Sequence, residues 1–133
     1  MGERVQHYWD LDVYTEAFRL QQAIFAISKK WPEEERFALT DQIRRSSRAI
    51  GANIAESWAK RRYPAHFQSK LTDADGELQE THHWLDSALA CEYVTLAEAS
   101  ALLSQVESIG RMLGRMIDSH ESFCFPTRRM ASR

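Results

Sequence analysis

Apolar residues recur along this chain in steps of three and four, the spacing that lines one face of an α-helix. Val13, Ala17, Leu20, Ile24, Ile27 and Trp31 make the first such seam. It predicts a helix over about residues 13–30, capped by Asp12. Trp31-Pro32 ends it, because the residue before a proline avoids the α region. Pro32 with Glu33, Glu34 and Glu35 predicts a short turn, its acids at the positive end. Leu39, Ile43, Ser46 or Ser47, Ile50, Ile54 and Ser57 or Trp58 form a second seam, on a helix over about 37–61. Tyr63-Pro64 breaks the chain, and Pro64 suits the first turn of a third helix, about 64–91. There Phe67, Leu71, Ala74, Leu78, Thr81, Leu85 and Ala88 repeat strictly by four and three. Thr95 and Glu98 have the spacing of a capping box. They open a fourth helix, about 96–120, whose seam reads Leu96, Ala99, Leu103, Val106, Gly110, Leu113 and Ile117. Residues 121–133 have no clear period and are expected to fray.

Four long helices with short connections predict an all-α, up-down-up-down four-helix bundle, one domain over residues 1–133. A helix of about 25 residues spans roughly 38 Å, so the bundle is expected to be a rod. Two helices carry apolar residues beside their seams: Tyr14, Phe18 and Phe25 on the first, and Leu102, Ile109 and Met116 on the fourth. Fully burying such a side chain is worth roughly 1.5–3 kcal/mol. One reading is a wide core-facing stripe. The other, preferred here, makes these six residues an interface between copies in a closed homo-oligomer.

Charge adds a question. The formal net charge is −2, which demands neither nucleic acid nor a membrane. The distribution is uneven, however. Residues 42–62 hold six Lys or Arg (Arg44, Arg45, Arg48, Lys60, Arg61 and Arg62) against one acid, Glu56, while residues 71–110 hold eight acids and no Lys or Arg. In one reading, acidic helix three neutralises basic helix two. In the other, the six basic residues form a stripe that contacts phosphates, with Arg128, Arg129 and Arg133 of the tail adding reach. Aromatic residues do not interleave with the basic ones in sequence, so no base-stacking platform is expected. Glu56 is expected to pair with Lys60, and Asn53 to hydrogen-bond between helices. The small residues of helix two suggest close backbone approach, with Ala52 and Ala55 inside that contact.

Chemistry is poorly supported. Glu80-Thr81-His82-His83 holds one Glu-x-x-His, whereas di-iron bundles need two. His82 is expected to pair with Asp86, His83 with Glu80, and Trp84 to serve packing. No HExxH, P-loop, GxGxxG or nucleophile elbow occurs. Neither an enzyme, a metal site nor a cofactor is expected. Cys91 and Cys124 read as reduced thiols. No signal peptide or membrane span is evident, and a cytoplasmic protein without membrane partners is expected.

QIRRSSRAIGANIAES at 42–57 resembles the QIRRAAxSIxxNIAEG signature of bacterial four-helix-bundle proteins, the 23S rRNA-intervening-sequence protein family. DVYTEAFRLQQAIFAISKKWP and ADGELQETHHWLDSALACEYV resemble the family's first and third helices, so the likeness covers about residues 9–120. The chain departs at Ser57, where the family usually has glycine, and at Glu92, where a glycine often precedes the tyrosine. The resemblance implies a left-handed four-helix bundle assembling as a homopentamer. The chain is also similar to the accessory variability protein of diversity-generating retroelements. That likeness implies RNA or DNA and a reverse-transcriptase-like protein as partners, with Arg44, Arg45 and Arg48 in the shared signature. The expected function is therefore non-enzymatic nucleic-acid or nucleoprotein binding by an oligomeric bundle. The alternative is a protein-interaction scaffold that binds no nucleic acid.

Overall fold

A computed structural model describes residues 5–126. The expectations placed on Arg128, Arg129 and Arg133 lie outside the described residues. Among those residues are four α-helices: α1 (Asp12–Ser28), α2 (Leu39–Trp58), α3 (Pro64–Ala90) and α4 (Leu96–Asp118). Short 3-10 turns lie at Tyr8–Asp10, Glu33–Glu35 and His120–Phe123, and the described residues contain no strand. Each helix packs against its neighbours in sequence, α1 closes on α4, and α2 with α3 is the most extensive contact.

The seams explain most of this packing. All seven seam residues of α3 are buried, and so are those of α2, including both members of each uncertain pair. On α1, Val13, Ala17, Leu20 and Ile24 are buried as expected; Ser28 joins them, while Ile27 is half-buried. α2 starts two residues later than expected, after Ala38, and ends at Trp58. Asp12 is the first residue of α1 rather than its cap. Thr95 does form the capping box: its Oγ1 accepts from the Glu98 amide at 3.0 Å, and Glu98 Oε1 accepts from the Thr95 amide at 2.9 Å.

α4 departs from its predicted seam. Its buried face is Ala99, Leu102, Val106, Ile109, Leu113 and Met116. The two stripes share Ala99, Val106 and Leu113, and differ by one residue at the intervening positions. At 109 and 110 the core takes the isoleucine rather than the glycine, and Leu102 and Met116 follow on the same face. The start of the tail is also ordered. Phe123 packs 6.4 Å from the Trp58 ring and 6.1 Å from Phe67, closing one end of the bundle with aromatic rings. The N-terminal segment is tied to the same end, where Trp58 Nε1 donates to the Gln6 carbonyl at 3.2 Å.

Close approach of α2 to its neighbours is real, but it is centred elsewhere than expected. Ala52 is exposed and Ala55 half-buried. The tight positions are Ser46, Ser47 and Gly51, all buried. A Cβ on Gly51 would meet the Tyr14 ring of α1 at 3.4 Å. Asn53 bonds within its own helix, donating to the Ala49 carbonyl at 2.9 Å, and so does not bridge helices.

Candidate nucleic-acid interface

The basic residues of α2 divide into three groups. Arg45 points at α3, where its guanidinium donates to Glu80 and lies 3.5 Å from Glu77. Glu80 also accepts from Trp84 Nε1 at 3.1 Å. Arg45 is therefore held by acidic helix three, as the neutralising reading has it, and His83 does not receive Glu80 as expected. Further along the same contact Glu56 pairs with Lys70 of α3 at 3.0 Å, not with Lys60. That hydrogen bond holds the Glu56 carboxyl below its ordinary range. Such exposed pairs fix register more than they stabilise.

Arg44 and Arg48 turn the other way, to the C-terminal end of α1. Arg44 Nε donates to Ser28 Oγ at 2.9 Å, and its Nη2 lies 3.5 Å from the Phe25 carbonyl. The Phe25 ring lies under three cations: Arg44 at 4.7 Å, Lys29 at 4.8 Å and Arg48 at 5.5 Å. The aromatic face and the negative end of the α1 dipole both attract them. Among the described residues no carboxylate lies within 4.0 Å of any of the three. Three converging cations without an ion-pair partner repel one another, and an anion would relieve that repulsion.

Beside this cluster runs a groove of about 530 Å³ lined by Arg36, Phe37, Thr40, Asp41, Arg44, Arg45 and Arg48. Arg36 stacks over the Phe37 ring at 5.0 Å and pairs with exposed Glu33 at 3.3 Å. Sequence reasoning missed Lys29, Arg36 and Phe37, and with them the mixing of aromatic rings among the cations. Linear spacing carries no signal for it, because Phe25 comes from another helix and Phe37 from a connection. A larger groove, about 670 Å³ between α3 and α4, sets Asp75 and Glu107 against Arg111, with His82 beside them, and has no cationic excess.

Lys60, Arg61 and Arg62 do not join the cluster. Arg61 folds inward: Nε donates to the Trp58 carbonyl at 2.8 Å, and the guanidinium lies 3.8 Å from the Trp58 ring centroid and 4.8 Å from Phe125. Burial pushes its pKa down. Lys60 is half-buried and Arg62 exposed. They follow Arg44 by 16 and 18 residues, roughly 25 Å of helix. Of the six expected phosphate contacts, Arg44 and Arg48 stand together without a carboxylate partner. Arg45 and Arg61 are engaged inside the chain.

The six expected interface residues also divide. Leu102, Ile109 and Met116 are buried in the bundle's own core, so they form no second face. Phe25 is half-buried beneath its cations. Tyr14 is half-buried against Gly51 of α2, and Phe18 remains on the outer side of α1, 44% exposed. They continue an aromatic run from exposed Trp9 through Tyr8, with centroid separations of 5.1, 4.9 and 6.1 Å. On α3, His82 lies 3.7 Å from Asp86, as expected. No group of three His, Cys, Asp or Glu among the described residues is placed to hold a metal. No described helix is long and apolar enough to cross a membrane.

The family model for 23S rRNA-intervening sequence protein matches residues 9–115. The chain belongs to this family. It is similar to the crystal structure of a protein of unknown function from the S23 ribosomal protein family, from Bacteroides thetaiotaomicron VPI-5482. The two are 28% identical and superpose with a TM-score of 0.70, over 79% of this chain and 97% of that one. No curated protein matches the chain. The matched segment runs from Trp9 to Arg115, and so includes Tyr14 and Phe18 of the aromatic run, leaves out Tyr8, and spans the cationic cluster at the other end of α1.

Proposed function

We propose that the chain is a non-enzymatic helical-bundle protein that assembles through α1 and holds nucleic-acid phosphates on Lys29, Arg44 and Arg48. The observation that carries this reading is the convergence of those three cations on Phe25 with no carboxylate within 4.0 Å of them among the described residues. Arginine suits phosphate because its planar fork donates two parallel hydrogen bonds. The outer aromatic run of α1 is the surface for self-association. The assembly proposed is the left-handed, up-down-up-down homopentamer that the family resemblance leads one to expect. A closed ring would repeat the cationic cluster once per copy, and multivalency would offset the slightly acidic net charge.

The test is salt-dependent binding of labelled RNA and DNA. Wild-type protein should bind near 50 mM salt and release steeply as salt rises. Arg44→Ala with Arg48→Ala should weaken binding and flatten the salt slope, with oligomeric mass unchanged. Absence of wild-type binding at low salt overturns the proposal. The scaffold reading has its own support in the Arg45 pairs with Glu77 and Glu80, which use an arginine purely between helices. It is favoured if the double variant changes the assembly's mass or stability instead.

A further inference from the structure

Phe37 is 83% exposed, the most open large apolar side chain among the described residues. It lies just before α2, outside the core. Single exposed apolar residues are common and need no explanation by themselves. What sets Phe37 apart is its company. The ring lines the groove together with Arg36, Arg44, Arg45 and Arg48, and Asp41 is the groove's acidic residue. Arg45 is already paired with Glu77 and Glu80, and Arg36 with Glu33, which leaves Arg44 and Arg48 against Asp41.

An aliphatic occupant would have to strip water from several guanidinium groups and return nothing to them. A duplex would satisfy the arginines but present no free base face to the ring. A single strand offers both, a phosphate at every step and an unpaired base with an open π-face. We infer that the groove takes a single-stranded nucleic acid, one base stacked on Phe37 and neighbouring phosphates on Arg44 and Arg48. Arg44 and Arg48 are one helical turn apart, about 6 Å along the axis. Arg36, already over the ring, adds a cationic edge to the stack. Stacking is blind to base identity and to the sugar, so RNA and DNA single strands both qualify. This inference rests on the phosphate-binding reading and adds to it the preference for unpaired strands.

The experiment is fluorescence anisotropy with an unstructured single strand and a duplex of matched phosphate number, in RNA and DNA. It uses the full chain and the Phe37→Ala and Phe37→Trp variants. A side chain this open can be removed without opening the core. Removing the ring is expected to weaken single-strand binding by roughly 5- to 100-fold and leave duplex binding unchanged. Phe37→Trp should restore the wild-type preference. Unchanged single-strand affinity in Phe37→Ala overturns the inference, as does an equal loss for both forms. A change in the variant's sedimentation mass also overturns it, because the ring would then belong between copies. If wild-type protein binds neither form, the phosphate reading itself falls. If it binds both alike and only the arginine variants lose affinity, the phosphate reading stands and the stacking inference fails.

Discussion

The hydroxyls of Ser46 and Thr81 meet at 2.8 Å within the α2–α3 contact, both residues without solvent exposure. Thr81 Oγ1 donates to the Glu77 carbonyl at 2.9 Å, which leaves it to accept from Ser46. The alternative acceptor for Ser46, the Ile43 carbonyl, is farther at 3.4 Å. Two buried hydroxyls thus satisfy each other across the most extensive helix pair. Ser46→Ala and Thr81→Val should each cost about 1 kcal/mol. Because each removes the same bond, the double variant should cost about as much as one of them. Urea unfolding of the four proteins measures the coupling. Additive losses would mean that the hydroxyl pair contributes nothing of its own.

Among the described residues Glu92 is the one non-glycine residue with positive φ, at 63°. It closes α3 in a Schellman arrangement, the Tyr93 amide donating to Ala88 and the Glu92 amide to Leu89, both at 2.9 Å. A side chain in this left-handed region costs about 1–2 kcal/mol that glycine avoids. Glycine loses about 0.4–1 kcal/mol through its freer unfolded chain. Glu92→Gly should therefore raise stability by about 0.5–1 kcal/mol, read as a higher urea midpoint with unchanged slope. A lower midpoint would show that the Glu92 side chain holds something that its backbone geometry does not reveal.

Glu80 gives the fold a defined acid sensitivity. The Trp84 indole N–H, and after it the Arg45 guanidinium, hold its carboxyl below the ordinary range, while burial opposes them. The unfolded chain titrates near pH 4.3. On acidification the unfolded state therefore takes up the proton first, and stability falls. The contribution is whole above about pH 5 and is lost as pH drops through the lower folded value. Urea midpoints measured from about pH 5 down to pH 3 should fall for wild-type protein and fall less steeply for Glu80→Gln. Some slope should remain, since Glu56 and Glu98 are lowered as well. Parallel curves would remove Glu80 from the account.

These residues mark how far the pattern of the chain could be read. The α3 seam was legible completely, because every seam position is apolar or small and most of its neighbours, Trp84 and Leu89 apart, are polar. α4 was not: leucine at 102 and 103, and methionine and isoleucine at 116 and 117, satisfy two helical stripes one residue apart. Only the partner helices decide between them, and they selected Leu102, Ile109 and Met116. The arginines were visible as a cluster, but their uses were not. Arg44, Arg45 and Arg48 lie within two turns, yet a rotation of 100° per residue sends Arg45 to α3 and the other two to α1. Phe25 as their platform depended on the pairing of α1 with α2, which no local spacing encodes. Phe37 fell outside any period because the chain between Pro32 and Leu39 is irregular.

Ile109 and Phe18 separate the bundle's own core from the face proposed for self-association. Ile109 is fully buried on α4, whereas Phe18 is 44% exposed on α1 at the end of the Trp9–Tyr8–Tyr14 run. Ile109→Ala should lose about 2–5 kcal/mol, since it leaves a cavity among close-packed side chains. Phe18→Ser should alter the fold of the single chain by no more than about 0.5 kcal/mol. It should instead lower the sedimenting mass, and its unfolding midpoint should lose the concentration dependence that assembly confers. Sedimentation at several concentrations, beside urea unfolding, reads both effects on the same samples. If Phe18→Ser keeps the wild-type mass at every concentration, the outer face of α1 is not where copies meet.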